Sequence, residues 1–478
     1  MTTEDLDADQ PDRTARAGLV ACLGAIGITI LDISKANVAL PAIEQSLSPS
    51  SSQLQLIVSG FALAFALALV PSARLGDAGM GRVGLLASVG VFSLTSVLCA
   101  FAPSADLLVV CRILQGAAAG VQMAQALGFI QRLYLGRQRG RAFGAVGATL
   151  GLATAIGPTL GGLLIVAADG DSGWRLLFGS SAPAGAAVLL LAARVLPRES
   201  RARRPIELDL PGMALLTAAV LAALVPVMVG THRLPAAAVC LCWAAAVTMG
   251  VAFVRWEGYR ARSGLMPLVH PTLFAQASFR NAAAVGSAYH MGIGALFLIV
   301  PLYIQFGLGR DAVTAGLATL PFALGHTVGA MLSGRAPAKR ARQVITGGLL
   351  IVVLAYVGIA VVSALSPGQE FPWVLLLMGV AGTGAGSVAA LNQVVLLSEV
   401  PVEIGTSAAS LGQLGQRIGS AAGIALGLSL YLTAEMTGDF SASHSFGRGI
   451  AGGVVILLIA LAWAIFDARR AHSPGVAD

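Results

Sequence analysis

Fourteen stretches of about 20 apolar residues follow one another along nearly the whole chain, and a helix of that length covers the hydrocarbon core of a bilayer. With ends fixed to about two to four residues, they run at roughly 17–40, 54–73, 83–102, 107–131, 143–167 and 177–196, then 211–231, 235–254, 282–305, 312–334, 343–364, 372–397, 405–433 and 449–467. The runs are continuously apolar and do not alternate with period two, so they read as helices and not as barrel strands. Composition agrees. The 478 residues are 56% hydrophobic and 11% charged, with a mean hydropathy of +0.82. Soluble domains carry about 25% charged residues, so most soluble enzymes are excluded. The 58 glycines follow no Gly-X-Y period, which excludes collagen. The expected fold class is an all-α polytopic membrane protein.

Basic residues set the orientation. With the amino terminus inside, the cytoplasmic connections hold most of the 30 lysines and arginines, among them Arg74, Arg82, Arg132, Arg137, Arg139, Arg141, Arg201, Arg203, Arg204, Arg255, Arg260, Arg262, Lys339, Arg340 and Arg342. The external connections hold only Arg175, Arg233, Arg310 and Arg448, while Lys35, Arg112 and Arg417 fall within spans. An odd number of spans breaks this asymmetry partway along, so both termini are expected in the cytoplasm. The net charge of +7 then reflects topology and contact with anionic lipid, and nucleic acid is not an expected partner.

Residues 1–16 are polar and acidic, lack the basic start of a cleavable signal and read as a disordered cytoplasmic tail; residues 468–478 read as a second tail. Cys22, Cys99, Cys111, Cys240 and Cys242 all lie in spans without a metal-binding pattern and are expected as free apolar packers. No segment is long and polar enough for a soluble domain, and no phosphate-binding GxxxxGK[ST] run occurs. No cofactor or metal is therefore expected. Any uphill movement of a solute must draw on an ion gradient.

Asp32 is the only carboxylate placed well inside a span. A charged Asp at a helix centre costs about 2.5–3.5 kcal/mol on insertion scales, so it needs a partner or a wet cavity. It is either a proton-carrying site, where burial and nearby cations act on a carboxyl in opposite directions, or a permanent ion pair that fixes packing; the first reading is preferred. At about 1.5 Å per residue, Asp32 lies about 12 Å inside the outer end of helix 1 and Arg112 about 8 Å inside that of helix 4. The two can meet, and Gln115 lies one turn further on. The other reading of Arg112 is a long stem reaching the outer interface. Lys35 shares a helix face with Asp32. Pairing with Asp32, reaching the outer interface and attracting an anionic substrate group all remain open for it.

The run Leu31-Asp32-Ile33-Ser34-Lys35-Ala36-Asn37-Val38-Ala39-Leu40-Pro41 resembles the first-helix signature of the fourteen-helix drug:proton antiporters of the major facilitator superfamily, the EmrB/QacA type. The resemblance continues through Arg74-Leu75-Gly76-Asp77, Arg112-Ile113-Leu114-Gln115-Gly116 and Gly157-Pro158-Thr159-Leu160-Gly161-Gly162. It resumes at Trp174-Arg175 up to Pro183, at Asp209-Leu210-Pro211-Gly212 and at Pro301-Leu302-Tyr303-Ile304-Gln305. These ordered matches cover almost the whole chain. They imply a major facilitator fold of 14 transmembrane helices (6 + 2 + 6), with six-helix bundles at residues 17–196 and 282–467 and two further helices in the linker 197–281. Rocking of the bundles then exposes a mid-membrane cavity to each side in turn.

The activity so implied is proton-coupled multidrug efflux of hydrophobic, often cationic small molecules from the cytoplasm or inner leaflet, by a monomer in the cell inner membrane. The resemblance implies that Arg112 and Gln115 take part in proton transfer, as Arg and Gln at their places do in the family. Lys35 departs from the pattern, which has an apolar residue there. That departure keeps open a dedicated exporter of one antibiotic or metabolite, anionic ones included. Asp77 and Arg82 resemble the cytoplasmic gating motif, although Met80 and Gly81 stand where the pattern has a glycine and then a basic residue; a generic turn is the alternative. Gly157, Pro158, Gly161 and Gly162 resemble the hinge and seal between bundles, or merely allow close packing.

Asn37, His290, Tyr303, Gln305, His326, Asn392, Gln416 and Arg417 are candidate cavity residues. Histidine titrates near neutral pH, so His290 and His326 are either transport groups or packing residues. A membrane enzyme needs a convergent catalytic set and a channel needs a repeated filter or charged ring; the sequence offers neither.

Overall fold

A computed structural model describes residues 13–134, 136–168, 172–198, 209–229, 234–310, 312–366, 368–436 and 442–470. Every regular element among them is helical. The chain divides into two compact units, Met1–Leu208 with Val400–Ser410 and Asp209–Glu399 with Leu411–Asp478. The helices expected within the linker 197–281 fall, from Asp209 on, in the second unit.

Unit 1 holds α1 (Arg13–Leu47), α2 (Ser51–Asp77), α3 (Gly81–Ala100), α4 (Ala105–Leu133), α5 (Gly136–Ala167), α6 (Gly173–Gly179) and α7 (Ser181–Val195). The residues from Arg13 to Arg16, placed in the tail by sequence, form the first turn of α1; the rest of that tail lies outside the described residues. A capping box starts α2: the Ser50 hydroxyl accepts from the Gln53 N–H and the Gln53 side chain accepts from the Ser50 N–H. The sixth apolar stretch is two helices instead of the one expected. Pro183 has no N–H for the Gly179 carbonyl, and the helix breaks at Ser180.

Unit 2 holds α8 (Leu210–Val229), α9 (Ala236–Arg262), α10 (Thr272–Ala275), α11 (Ala277–Gly294), α12 (Leu296–Leu302), α13 (Ala312–Leu317), α14 (Leu320–Ser333), α15 (Ala341–Leu365), α16 (Phe371–Leu396), α17 (Gly405–Met436, starting in the unit 1 segment) and α18 (Ala442–Arg470). The single helix expected at 282–305 is α11, α12 and a π turn, Tyr303–Gly307, that follows Pro301. The one expected at 312–334 is α13 and α14, because Pro321 gives the Leu317 carbonyl no donor. Of the second expected tail, the first residues extend α18 to Arg470 and the remainder lies outside the described residues.

Among the described residues, 12 helices are long and apolar enough to cross a membrane. The seventh expected span is a shorter apolar helix, Leu210–Pro226. The thirteenth falls in α17, which is 32 residues long, carries Gln413, Gln416 and Arg417, and is not among the 12.

Both units pack by close approach of backbones. A Cβ on Gly116 or Gly120 of α4 overlaps the Phe61 and Phe65 carbonyls of α2; one on Gly325 or Gly329 of α14 overlaps those of Gly379 and Thr383 on α16. Lipid offers no hydrophobic drive between helices, so contact made possible by small residues takes its place. α1 meets α5 in the same way where Ser34 faces Gly157, and α11 meets α17 where Ser287 and Met291 face Gly419 and Gly423. Each unit thus pairs the second with the fourth, and the first with the fifth, of its six principal helices, as an internal repeat requires.

One buried acid ties the start of α8 to α9. Asp209 Oδ1 accepts from the Gly212 N–H at 3.0 Å and from Trp256 Nε1 at 2.9 Å, and Oδ2 lies 3.4 Å from Arg260 Nε. Burial pushes the Asp209 carboxyl up, but the Trp256 indole, the Gly212 N–H, Glu257 and Arg260 together hold it below the usual carboxylate range. A group depressed on folding stabilises the native state above its unfolded value, so this contribution is full at neutral pH. It is lost only as pH falls from about 3.9 through the lower folded value. Asp209→Ala is therefore expected to destabilise the neutral-pH protein by about 3 kcal/mol, read as a lower Tm in thermal unfolding followed by tryptophan fluorescence.

Candidate functional site

Inside unit 1, helices α1 and α4 with the α6–α7 break bring four of the predicted residues to one point. Asp32, Lys35, Arg112 and Gln115 are each at most 1% exposed. Arg112 Nη1 donates to Asp32 Oδ2 at 2.6 Å and to Gln115 Oε1 at 2.7 Å, and Arg112 Nε donates to the Ile57 carbonyl of α2 at 3.1 Å. The Phe61 and Phe178 rings flank its guanidinium at 4.3 and 5.1 Å. A carboxylate, two carbonyl oxygens and two aromatic faces thus replace the water this cation has lost. Gln115 Nε2 continues the chain to Ser96 Oγ at 2.7 Å, and that hydroxyl donates to the Phe92 carbonyl at 2.8 Å.

Lys35 turns to the α6–α7 break. Its Nζ donates to the Leu177 carbonyl at 2.7 Å, to Ser180 Oγ at 2.9 Å and to Ser181 Oγ at 2.7 Å. Asp32 Oδ1 makes the expected i,i+3 ion pair with Nζ at 3.7 Å, longer than a hydrogen bond, and accepts from the Ser181 hydroxyl at 2.9 Å. Both carboxylate oxygens therefore have a donor, and two buried cations surround one buried anion. One turn before Asp32 on α1, Thr29 Oγ1 accepts from Gln122 Nε2 of α4 at 2.8 Å. Sequence reasoning missed Ser96, Ser180, Ser181, Phe61 and Phe178. Two adjacent serines in an apolar run just before a proline were the available signal.

The gating candidates separate. Asp77 Oδ2 accepts from the Ser407 hydroxyl in the first turn of α17, within the segment that belongs to unit 1. Thr406 sits beside it against Gly76 and Gly128. Arg82 Nη2 donates instead to the Ala193 carbonyl at the end of α7, at 2.6 Å. On α5, Gly157 lies against Ser34 and Gly161 against Lys35, so both support the charged site; Pro158 lies between them, and a Cβ on Gly162 meets nothing within 4 Å.

In unit 2, Tyr303 and Asn392 are buried ties. The Tyr303 hydroxyl bonds Ser443 Oγ at 2.8 Å, its ring stacks on Phe446 at 4.2 Å, and Asn392 Nδ2 donates to the Ala282 carbonyl at 2.9 Å. His290, Gln305, His326, Gln416 and Arg417 are half-buried, and His290 lies within electrostatic reach of His326 and Arg417. His290 Nδ1 is bonded to the Gly286 carbonyl at 2.8 Å. The Asn37 side chain lies outside the described residues. Cys22, Cys99 and Cys111 are buried free thiols, whereas Cys240 is exposed and so is not the packing residue expected.

Known proteins sharpen the picture. A family model described as Major Facilitator Superfamily matches residues 21–424. The chain is 33% identical over 432 residues to the probable actinorhodin transporter of Streptomyces coelicolor, covering 87% of this chain and 74% of that one. It is 32% identical over 489 residues to the puromycin resistance protein of Streptomyces alboniger, covering 98% and 95%. Identity to the multidrug resistance protein Stp of Mycobacterium tuberculosis is 29% over 421 residues, covering 86% and 74%. Among solved structures, the proton:xylose symporter XylE superposes with a TM-score of 0.65 at 14% identity, covering 94% of this chain and 96% of that one. The human organic anion transporter MFSD10 gives 0.65 at 16%, covering 95% and 100%. At these identities the two structures speak to the fold alone.

Proposed function

The chain belongs to the major facilitator superfamily, a family of transporters and not of enzymes, and from that premise we propose that it exports hydrophobic, often cationic small molecules in exchange for protons. The observation that carries this reading is the buried network of Asp32, Arg112, Lys35 and Gln115. Charged groups are expensive in the bilayer interior, and a cluster of them on facing helices marks an ion pathway. Relatives named for antibiotic transport, antibiotic resistance and multidrug resistance support the export direction. The proposal includes 14 crossings in a 6 + 2 + 6 order with both termini in the cytoplasm, favoured by the distribution of basic residues. It places a monomer in the cell inner membrane, driven by the proton gradient without a cofactor. The half-buried His290, Gln305, His326, Gln416 and Arg417, with Asn37, contribute substrate contacts; Tyr303 and Asn392 hold the helices that carry them.

Asp77 and Ser407 form the gate in this reading, with Arg82, Gly157, Pro158, Gly161 and Gly162 supporting the moving helices. α17 starts in the unit 1 segment and continues into unit 2, so a bond at its first turn favours one conformation and is released in the other. A hydrogen bond to a charged group contributes about 1.5–3 kcal/mol. Asp77→Ala should therefore shift that conformational equilibrium by about tenfold to a hundredfold and slow export accordingly, while drug binding to the detergent-purified protein persists.

Ethidium accumulation in expressing cells, with and without a proton uncoupler, tests the reading. Low accumulation that the uncoupler restores is expected; uptake above that of control cells, or extrusion indifferent to the uncoupler, contradicts it. A second reading, a dedicated exporter of one antibiotic that includes anionic ones, is favoured by the two cations at Lys35 and Arg112 and by relatives named for single antibiotics. Extrusion of an anionic aromatic dye such as fluorescein, with ethidium ignored, selects it.

A further inference from the structure

We propose that the proton exchanged by this site is carried by Lys35, with Asp32 remaining a carboxylate throughout the cycle. This inference rests on the proton-coupled export proposed above and names the group within that network that changes charge.

The charge count comes first. Asp32, Lys35 and Arg112 are at most 1% exposed, so their net charge is felt inside the membrane. With all three ionised the cluster is +1. A proton added to Asp32 makes it +2, with two cations and no anion in a water-poor interior. A proton removed from Lys35 makes it neutral, with one carboxylate against one guanidinium. Of the two single-proton changes, only the second lowers the buried charge.

The geometry assigns the partners the same way. Arg112 owns the carboxylate at 2.6 Å, and a guanidinium does not give up its proton in proteins. Lys35 lies 3.7 Å from Asp32, and its three hydrogen-bond partners are neutral. Among the described residues, the charged groups facing its Nζ are Asp32 from its own helix and Arg112 from α4; α5 places Gly157 and Gly161 along its stem, and α6 and α7 offer a carbonyl and two hydroxyls. These partners suit both protonation states. The ammonium donates three hydrogen bonds, as observed. The neutral amine donates two and accepts one, and the Ser180 hydroxyl, now donating to the Leu177 carbonyl at 2.7 Å, can turn to fill its lone pair. Ser180 is also the half-buried member of the set, and in this proposal the N–H bond breaks toward a solvent water beside its hydroxyl, the proton leaving as H3O+ and the electron pair staying on Nζ. The lysine is not an incidental choice of base: of 30 basic residues only Lys35 and Lys339 are lysine, and the other 28 are arginine, which cannot perform this step. Entry of a lipophilic cation and departure of the Lys35 proton then balance in charge, which is the condition for exchange.

Two lysines in the chain make the test direct. Protein labelled with 13Cε-lysine gives two signals, and Lys35→Gln identifies which is which. The Lys35 signal is expected to shift from ammonium toward amine when ethidium is added, while the Lys339 signal does not move. A Lys35 signal that stays ammonium with and without ethidium overturns the proposal. In liposomes with an internal pH dye, Lys35→Gln is expected to let ethidium run downhill while moving at most a tenth of the protons per ethidium seen with the natural sequence; unchanged protons per ethidium returns the role to Asp32. If the natural sequence itself moves no protons with ethidium, the export reading fails first, and the lysine signal still reports on Lys35 by itself.

Discussion

Asp32→Asn is expected to abolish the proposed proton-coupled export while the protein still inserts and purifies. The amide keeps the shape of the carboxylate, and its Oδ1 still accepts from Arg112, so helix packing survives. What goes is the only anion among the charged groups of the site, leaving the Arg112 and Lys35 cations at most 1% exposed and facing each other. Removing one partner of a buried pair costs about 3–5 kcal/mol, because the other charge stays desolvated. Under the Lys35 proposal the site lowers that cost by shedding the Lys35 proton and not regaining it, so drug movement is no longer tied to H+. Uphill ethidium extrusion from energised vesicles, normalised to protein amount, should fall at least about a hundredfold, equivalent to about 2.7 kcal/mol. Retention of the full rate would remove Asp32 from the coupling machinery.

Gly116→Val is expected to cripple the protein by a different route. Any Cβ at this position overlaps the Phe61 carbonyl, so α2 and α4 must part. Phe61 is also one of the rings flanking the Arg112 guanidinium, so the movement strips a face from the buried cation. Overpacking costs about 1–3 kcal/mol where side chains can yield, and here the obstacle is backbone, so about 3 kcal/mol or more is expected. Thermal unfolding in detergent should show a Tm lower by roughly 6–12 °C, at about 2–4 °C per kcal/mol for a large chain. Gly90→Ala is the control: a Cβ there meets nothing within 4 Å, and alanine in an open helical position is neutral or stabilising by up to about 1 kcal/mol. Equal Tm losses in both variants would contradict this packing scheme.

The pairing of Asp32 with Arg112 was legible in the sequence because a lone carboxylate deep in a span has few ways to be satisfied, and helix rise alone puts the two at similar depth. The direction of Lys35 was not. It depends on a helix break at Ser180, 145 residues further along the chain, and on whether packing lets the helix break there at all. The prolines at 183, 301 and 321 were visible as letters, but only packing decides between a bend and a break. The Asp77–Ser407 bond joins residues 330 apart, a separation at which no local pattern speaks. The span count was harder still, because Leu210–Pro226 and α17 are helical yet differ from the other spans in length or polarity.

Purified protein in liposomes, loaded with a pH dye and given an imposed pH gradient, measures whether ethidium and protons move together. Protons leaving the more acidic side should drive ethidium toward that side against its own gradient, and ethidium added alone should move protons the opposite way. Ethidium that only equilibrates, whatever the pH difference, with no proton movement accompanying it, would contradict proton-coupled export of lipophilic cations by this chain.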